Sequence, residues 1–300
     1  MRNRPTRIAV IGHFTYFENH FPERWALNAD VLCLDVSEDD YRWMIAAANF
    51  RPDLTLFYRP ELYPRRYVER IPGVRVALLS EPLPAIRGGQ LEFTDETRLR
   101  QQVYAPMAWD AYHWRIFYDE GKKESAAMMG YSIDEYRPLP IDISLFRAPH
   151  EEKRRPFDVT FLGKATPHRI ARMDFLRSSN LKFLWVAHGA SGRQLAEVFR
   201  RSKLVLNIHA DGQEAFEPRL YLAAACGAGV LSEPLSSTPI YFRDRIWEHL
   251  GDWNRSLIRQ YLTEFESLEW TSTNQADLEF LSTRRLIEDV WSRFAIAAAQ

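Results

Sequence analysis

Residues 204–233, LVLNIHADGQEAFEPRLYLAAACGAGVLSE, restrict the fold more than any other stretch of the chain. Residues 204–208 are a short, mostly apolar run, the pattern of a parallel strand buried on both faces. A polar loop follows from His209 to Glu217. Pro218 suits the first turn of a helix, where its fixed φ helps and its missing N–H is not needed. Residues 219–226 are rich in Leu and Ala, strong helix formers, and Gly227 is placed to end that helix in the left-handed conformation. Residues 229–232 then begin another strand. Strand, loop, helix and strand in this order call for an open parallel α/β sheet. The free N–H groups at the helix start face residues 213–217 and suit phosphate, and such sheets bind ligands beyond the carboxyl ends of their strands.

The same rhythm runs through the rest of the chain. In the first half, strands are expected at 7–12, 30–35, 53–58 and 74–80. They alternate with helical stretches at 22–29, from Ser37 to about Asn49, and at 65–70. Pro82, Pro84, Gly88 and Gly89 make 81–89 a loop; 94–103 reads as helix, 115–118 as a short strand, and 120–129 as a helix stopped by Gly130. Residues 136–140 are extended because their prolines forbid helix. Residues 148–156, APHEEKRRP, have two prolines, five charges and no apolar period, which sets two domains, 1–150 and 151–300. In the second half, strands at 157–163, 181–187, 204–208 and 229–232 alternate with helices at 168–177 and 191–203. Ser191 and Gln194 form the capping-box pattern of the second of these helices. Beyond Pro239 the chain reads as mostly helical, and its last helix, about 284–298, is in a position to pack back on the first domain.

Composition excludes several classes of function. A net charge of −1 gives no electrostatic case for nucleic acid, and the basic runs at 153–155 and 200–201 read as solvated faces. Cys33 and Cys226 belong to no metal or redox pattern and read as buried thiols in a reducing compartment. The N-terminal apolar stretch is too short for a signal sequence, and no window approaches ~20 uninterrupted apolar residues. A cytoplasmic protein is expected, with peripheral membrane association left open. No acidic pair stands in a loop suited to holding a metal and a diphosphate, since Asp39–Asp40 opens a helix and Glu151–Glu152 lies in the linker, so no metal is expected.

The sequence also resembles a known family. EAFEPRLYLAAACGAGVLSE is similar to the C-terminal donor-binding motif of the group 1 GT-B glycosyltransferases, in which Glu, seven residues and a second Glu precede a short Ala/Cys/Gly stretch. Glu214 falls on the first Glu, while Leu222 stands where the family has the second, the carboxylate that holds the nucleotide ribose. RPDLTLFYRP, VRVALLSEPLP, YDEGKKESAAMMGYSIDEYRPLPIDISLFRAP and FDVTFLGKATPHRIARMDFL resemble, in order, successive parts of the family's short, spore-maturation-protein-like branch. The match covers most of residues 7–235.

The resemblance implies an α/β GT-B fold, with two Rossmann-like domains facing each other across a cleft, acceptor on the first and donor on the second. It implies a hexosyltransferase-type, metal-independent enzyme without a cofactor. That enzyme would move a sugar from a nucleotide-diphosphate sugar to a hydroxyl on a glycan, a lipid-linked glycan or a small molecule. Gly163 would let the backbone approach the diphosphate while Lys164 and Arg169 neutralise it, and the planar fork of Arg169 matches phosphate best. Glu214 is placed by the donor sugar, His188 by the nucleotide base, and Asn207 and His209 at the strand end before the loop. Phe216, Glu217, Pro218 and Arg219 surround the helix start. His13, following the first strand, is the candidate general base, with Glu81 as the alternative. Two rival activities fit the same residues: a nucleotide-sugar epimerase, and a nucleotide-sugar-binding protein without turnover, the latter favoured by Leu222.

Overall fold

The computed structural model describes residues 5–21, 28–36, 41–149, 154–268 and 275–294. The chain divides into two compact units, Met1–Asp142 with Leu281–Gln300, and Ile143–Phe280. Each is built on one parallel sheet.

The first unit contains β1 (Thr6–Gly12), α1 (Phe14–Phe17), β2 (Ala29–Asp35), α2 (Arg42–Phe50), β3 (Leu54–Tyr58), α3 (Arg65–Val68) and β4 (Val74–Leu79). There follow β5 (Ala85–Arg87), β6 (Gln90–Glu92), α4 (Asp95–Tyr104), β7 (Trp114–Phe117), α5 (Lys123–Met128) and β8 (Glu135–Tyr136). The main sheet has the order β2-β1-β3-β4-β7-β8, and every pairing in it is parallel. All five residues of β3 are buried, so the strand reads as a continuous apolar run rather than an alternating one. α4 starts on a capping box: the Thr97 N–H donates to Thr94 Oγ1, and the Thr94 N–H donates back to Thr97 Oγ1. The helices expected at 22–29 and from Ser37 begin outside the described residues. The loop expected at 81–89 contains β5, which pairs antiparallel with β6; Gly88 and Gly89, both at positive φ, form the two-residue turn between them.

The second unit contains β9 (Phe157–Leu162), α6 (Pro167–Arg177), β10 (Phe183–Val186), α7 (Gly192–Arg200), β11 (Ser202–Asn207), α8 (Arg219–Ala225), β12 (Gly229–Ser232), β13 (Ile246–Glu248), α9 (Arg255–Ser267) and α10 (Gln275–Leu281). Its sheet, β10-β9-β11-β12-β13, is wholly parallel. β13 is a fifth strand inside the region read as helical; with three residues it is too short to show a period. The Ser191 side chain makes no cap hydrogen bond, and α7 stops at Arg200 because Ser202 and Lys203 already belong to β11. The last helix, α11 (Thr283–Phe294), gives Leu286, Ile287 and Val290 to the core of the first unit, and residues beyond 294 lie outside the description.

Two surface readings are corrected. Arg155 is buried: its Nη1 donates to the carbonyls of Phe199 and Ser202, and its Nη2 to that of Cys226. The guanidinium thereby ties together the end of α7, the start of β11 and the end of α8. Arg200 also turns inward, donating to the Leu145 carbonyl and pairing with Glu197. Of the two thiols, Cys226 is buried and Cys33 only half-buried.

Candidate functional site at the carboxyl edge of the second sheet

In each sheet the first strand lies between the second and the third, so the strand order reverses beside β1 and beside β9. At such a switch point the connections leave on opposite faces and open a crevice at the carboxyl ends of the strands. In the second unit this edge receives the loop after β9, the start of α6, and the loop between β11 and α8.

Gly163 follows β9 with φ +144°, and a Cβ there would stand 3.0 Å from Arg169 Nη1 and 3.2 Å from the Phe161 ring. Only glycine fits so close beneath the guanidinium. The Gly163 carbonyl accepts from Trp185 Nε1 at 2.9 Å, which fixes the turn. Thr166 caps α6, its side chain accepting from the Arg169 N–H.

Arg169 is 4% exposed. Its Nε donates to the Ile208 carbonyl and its Nη1 to that of Lys164. Arg219, the first residue of α8, donates from Nη1 to the Leu162 carbonyl and from Nη2 to Glu217 at 3.1 Å. Both guanidiniums lie on the Phe161 ring, at 5.3 and 5.6 Å from its centroid. Burial, followed by the charge of Arg219, pulls the Arg169 pKa down to about 10. Burial alone would raise the Glu217 carboxyl, but Arg219, His209 and Arg169 hold it below the ordinary carboxylate range. The edge thus carries two converging cations and one ionised carboxylate.

Asn207 and His209 are buried beside this pair. Asn207 Nδ2 donates to Ser232 Oγ at 2.9 Å. The His209 ring bonds the Pro234 carbonyl through Nε2, and its backbone N–H donates to Glu233 Oε2. Phe216 is buried against Tyr221, and Pro218 precedes α8 as its cap residue. Gly163, Arg169, Asn207, His209, Phe216, Glu217, Pro218 and Arg219 therefore share one edge. Glu214 is exposed on the same loop, Lys164 is exposed past Gly163, and His188 is exposed after β10. Leu222 is buried in α8. The sequence reading missed Glu233, Arg172 and His168, which are joined beneath the loop. The signal available was an acidic residue directly after an apolar strand, paired with basic residues four apart on a helix.

The first unit holds His13 and Glu81. His13 follows β1, rests against Tyr16 at 4.8 Å, and has a buried Nδ1 without a hydrogen-bond partner among the described residues. Glu81 pairs with Arg59 at 3.0 Å and Arg100 at 2.7 Å. Arg59 also pairs with Glu61, and Arg100 with Glu96. Arg59 takes a left-handed φ of 56° at the end of β3, a conformation this network holds in place. Burial raises the Glu61 carboxyl, and Arg59 opposes that rise.

Residues 153–265 match the family described as "Glycosyl transferase-like". AviGT4, a glycosyltransferase involved in avilamycin A biosynthesis, superposes with a TM-score of 0.51 at 12% identity, over 99% of this chain and 100% of that one. A "putative UDP-N-acetylglucosamine 2-epimerase" from Listeria monocytogenes does so with a TM-score of 0.51 at 10% identity, over 99% of each chain. At such identities the superpositions speak for the fold, which is that of the GT-B glycosyltransferases, with two Rossmann-like domains. The match over residues 153–265 supports sugar transfer as the activity. No curated protein matches the sequence. Among the described residues no helix is long and apolar enough to cross a membrane, and no group of three or more His, Cys, Asp or Glu residues is arranged to hold a metal ion.

Proposed function

We propose that the protein transfers a sugar from a nucleotide-diphosphate sugar to a hydroxyl-bearing acceptor, with the donor diphosphate at the carboxyl edge of the second sheet. The observation that carries this reading is the convergence of Arg169 and Arg219 on the Phe161 ring, with Glu217 paired directly to Arg219. As the glycosidic bond breaks, negative charge builds on the diphosphate, and preorganised guanidiniums stabilise it more in the transition state than in the ground state. The sugar becomes oxocarbenium-like and favours a nearby carboxylate. Glu214, exposed on the loop, is assigned to the sugar. His13 is assigned the acceptor proton from its place directly after β1. Acceptor binding belongs to the first unit in this reading. The hexosyl class, the metal-independent chemistry, the cytoplasmic setting and the spore-maturation-protein-like branch belong to the same proposal and rest on the sequence.

Calorimetry of the purified protein against UDP-, GDP-, ADP-, dTDP- and CDP-sugars tests the reading. One nucleotide class binding well above the rest is the expected result, and silence across the panel overturns it. With that donor, Glu214→Ala is expected to abolish transfer while leaving nucleotide affinity unchanged. Conversion of the donor without any acceptor would point to epimerisation instead.

A further inference from the structure

Glu233, directly after β12, is 2% exposed and has no part in the chemistry above. Its carboxylate is met by donors on both oxygens. Oε1 accepts from His168 Nε2 and from Arg172 Nε, each at 2.8 Å, and Oε2 accepts from the His209 N–H at 2.8 Å. The Glu233 N–H donates to the Asn207 carbonyl at 3.0 Å. A buried carboxylate is tolerated only when its hydrogen bonds are met, and an apolar side chain would fill the same space without that demand. What the carboxylate adds is direction.

It directs two segments at once. Through the His209 N–H it fixes the first residue of the loop that carries Glu217. Through His168 it reaches the middle of that loop, because the imidazole lies under Gly212. A Cβ at Gly212 would stand 3.1 Å from the ring, and its φ is +79°, so only glycine lets the chain rest there. His168 is also the neighbour of Arg169, whose Nε is tied to Ile208, the residue before His209. The start of α6 and the loop are therefore registered against each other by a single side chain.

We propose that Glu233 is the positioning residue of the anion site: it sets the loop from His209 to Glu217 against Arg169 without touching the ligand. This rests on the reading of that edge as a diphosphate site. Glu233→Gln is nearly isosteric, but its amide offers one acceptor oxygen and turns an NH2 toward groups that are themselves donors. Two measurements on the full chain test the proposal. Hydrogen exchange is expected to speed at least tenfold at the His209 amide and to rise through the loop, while exchange in β9 stays unchanged. Affinity of the folded variant for the tightest binder among UDP, GDP and ADP is expected to fall at least tenfold. His168→Ala, which keeps the Arg172 and His209 bonds, is expected to give a smaller change of the same kind, and it decides the matter if Glu233→Gln does not fold. Wild-type exchange at His209 in a folded variant overturns the proposal. So does unchanged affinity with faster exchange, which would make Glu233 merely structural. If wild-type protein binds none of the three diphosphates, the diphosphate reading fails, and the exchange result alone decides whether Glu233 sets the loop.

Discussion

The carboxyl edges of the two sheets share a topology and treat charge in opposite ways. In the first unit, Arg59 and Arg100 meet Glu61, Glu81 and Glu96 in a chain of ion pairs, three carboxylates to two guanidiniums. In the second, Arg169 and Arg219 share Glu217, while Glu233 is engaged below by His168, Arg172 and the His209 N–H. The first edge neutralises itself and has no excess attraction for an anion. The second gathers two guanidiniums on one aromatic ring with a single directly paired carboxylate, Glu217, while Glu233 and Asp211 act on Arg169 without pairing to it; charge held there acts more strongly than in water. A shared fold does not confer a shared ligand; the local balance of side chains does.

This contrast can be broken most forcefully through the frame of the second unit. Arg155→Ala would leave the Phe199, Ser202 and Cys226 carbonyls without their buried donor, and a loss of about 3 kcal/mol or more is expected in a urea titration of the full chain. Acid should act on the first unit. His20 is buried, its Nδ1–H donates to the Pro140 carbonyl at 2.6 Å, and burial pulls its pKa down to about 4. Above the unfolded-state value near 6.5 the ring is neutral in both states and nothing is lost. As pH falls from 6.5 toward 4 the unfolded chain takes up the proton first, so up to about 3 kcal/mol is lost across that window. Unfolding midpoints of wild type and His20→Gln between pH 4 and 7 should diverge below 6.5, and parallel curves would remove His20 from the acid response.

The charge contrast itself is sharpened by a matched pair of variants. Arg169→Met should weaken binding of the preferred nucleoside diphosphate about ten- to a hundredfold, the scale of one or two charge-assisted hydrogen bonds. Arg59→Met should leave that affinity unchanged, and equal losses from both would void the comparison. The smallest effect is expected for Glu81→Gln. Its half-buried pairs with Arg59 and Arg100 contribute about 1 kcal/mol, read as a modest fall in melting temperature.

Much of the fold was legible because parallel strands buried on both faces are mostly apolar runs, as at β3 and in the middle of β11. α8 was legible through Pro218 and Gly227, whose φ of +77° closes the helix as read. β13 and the β5–β6 hairpin were not, since three residues carry too little period to separate strand from loop. The capping pattern at Ser191 marked the start of α7, whose cap residue is Ser191, although its side chain makes no cap hydrogen bond. In the candidate site, Arg169 and the loop were legible as residue types at a strand end. Glu233 was not, because its three donors come from positions far apart in sequence.

The sequence by itself determined where chain direction and chemistry change: which runs must be buried, which loops end strands, and which glycines and prolines stop helices. These are local consequences of side-chain volume, backbone freedom and polarity. Only the tertiary structure decided how each charge is used. Arg155, one of a basic run before β9, became an internal clamp on three carbonyls, whereas Arg219, the first residue of α8, turned toward Glu217 and the Phe161 ring. The energy of a charge depends on its burial and its partners, and both are set by segments distant in the chain.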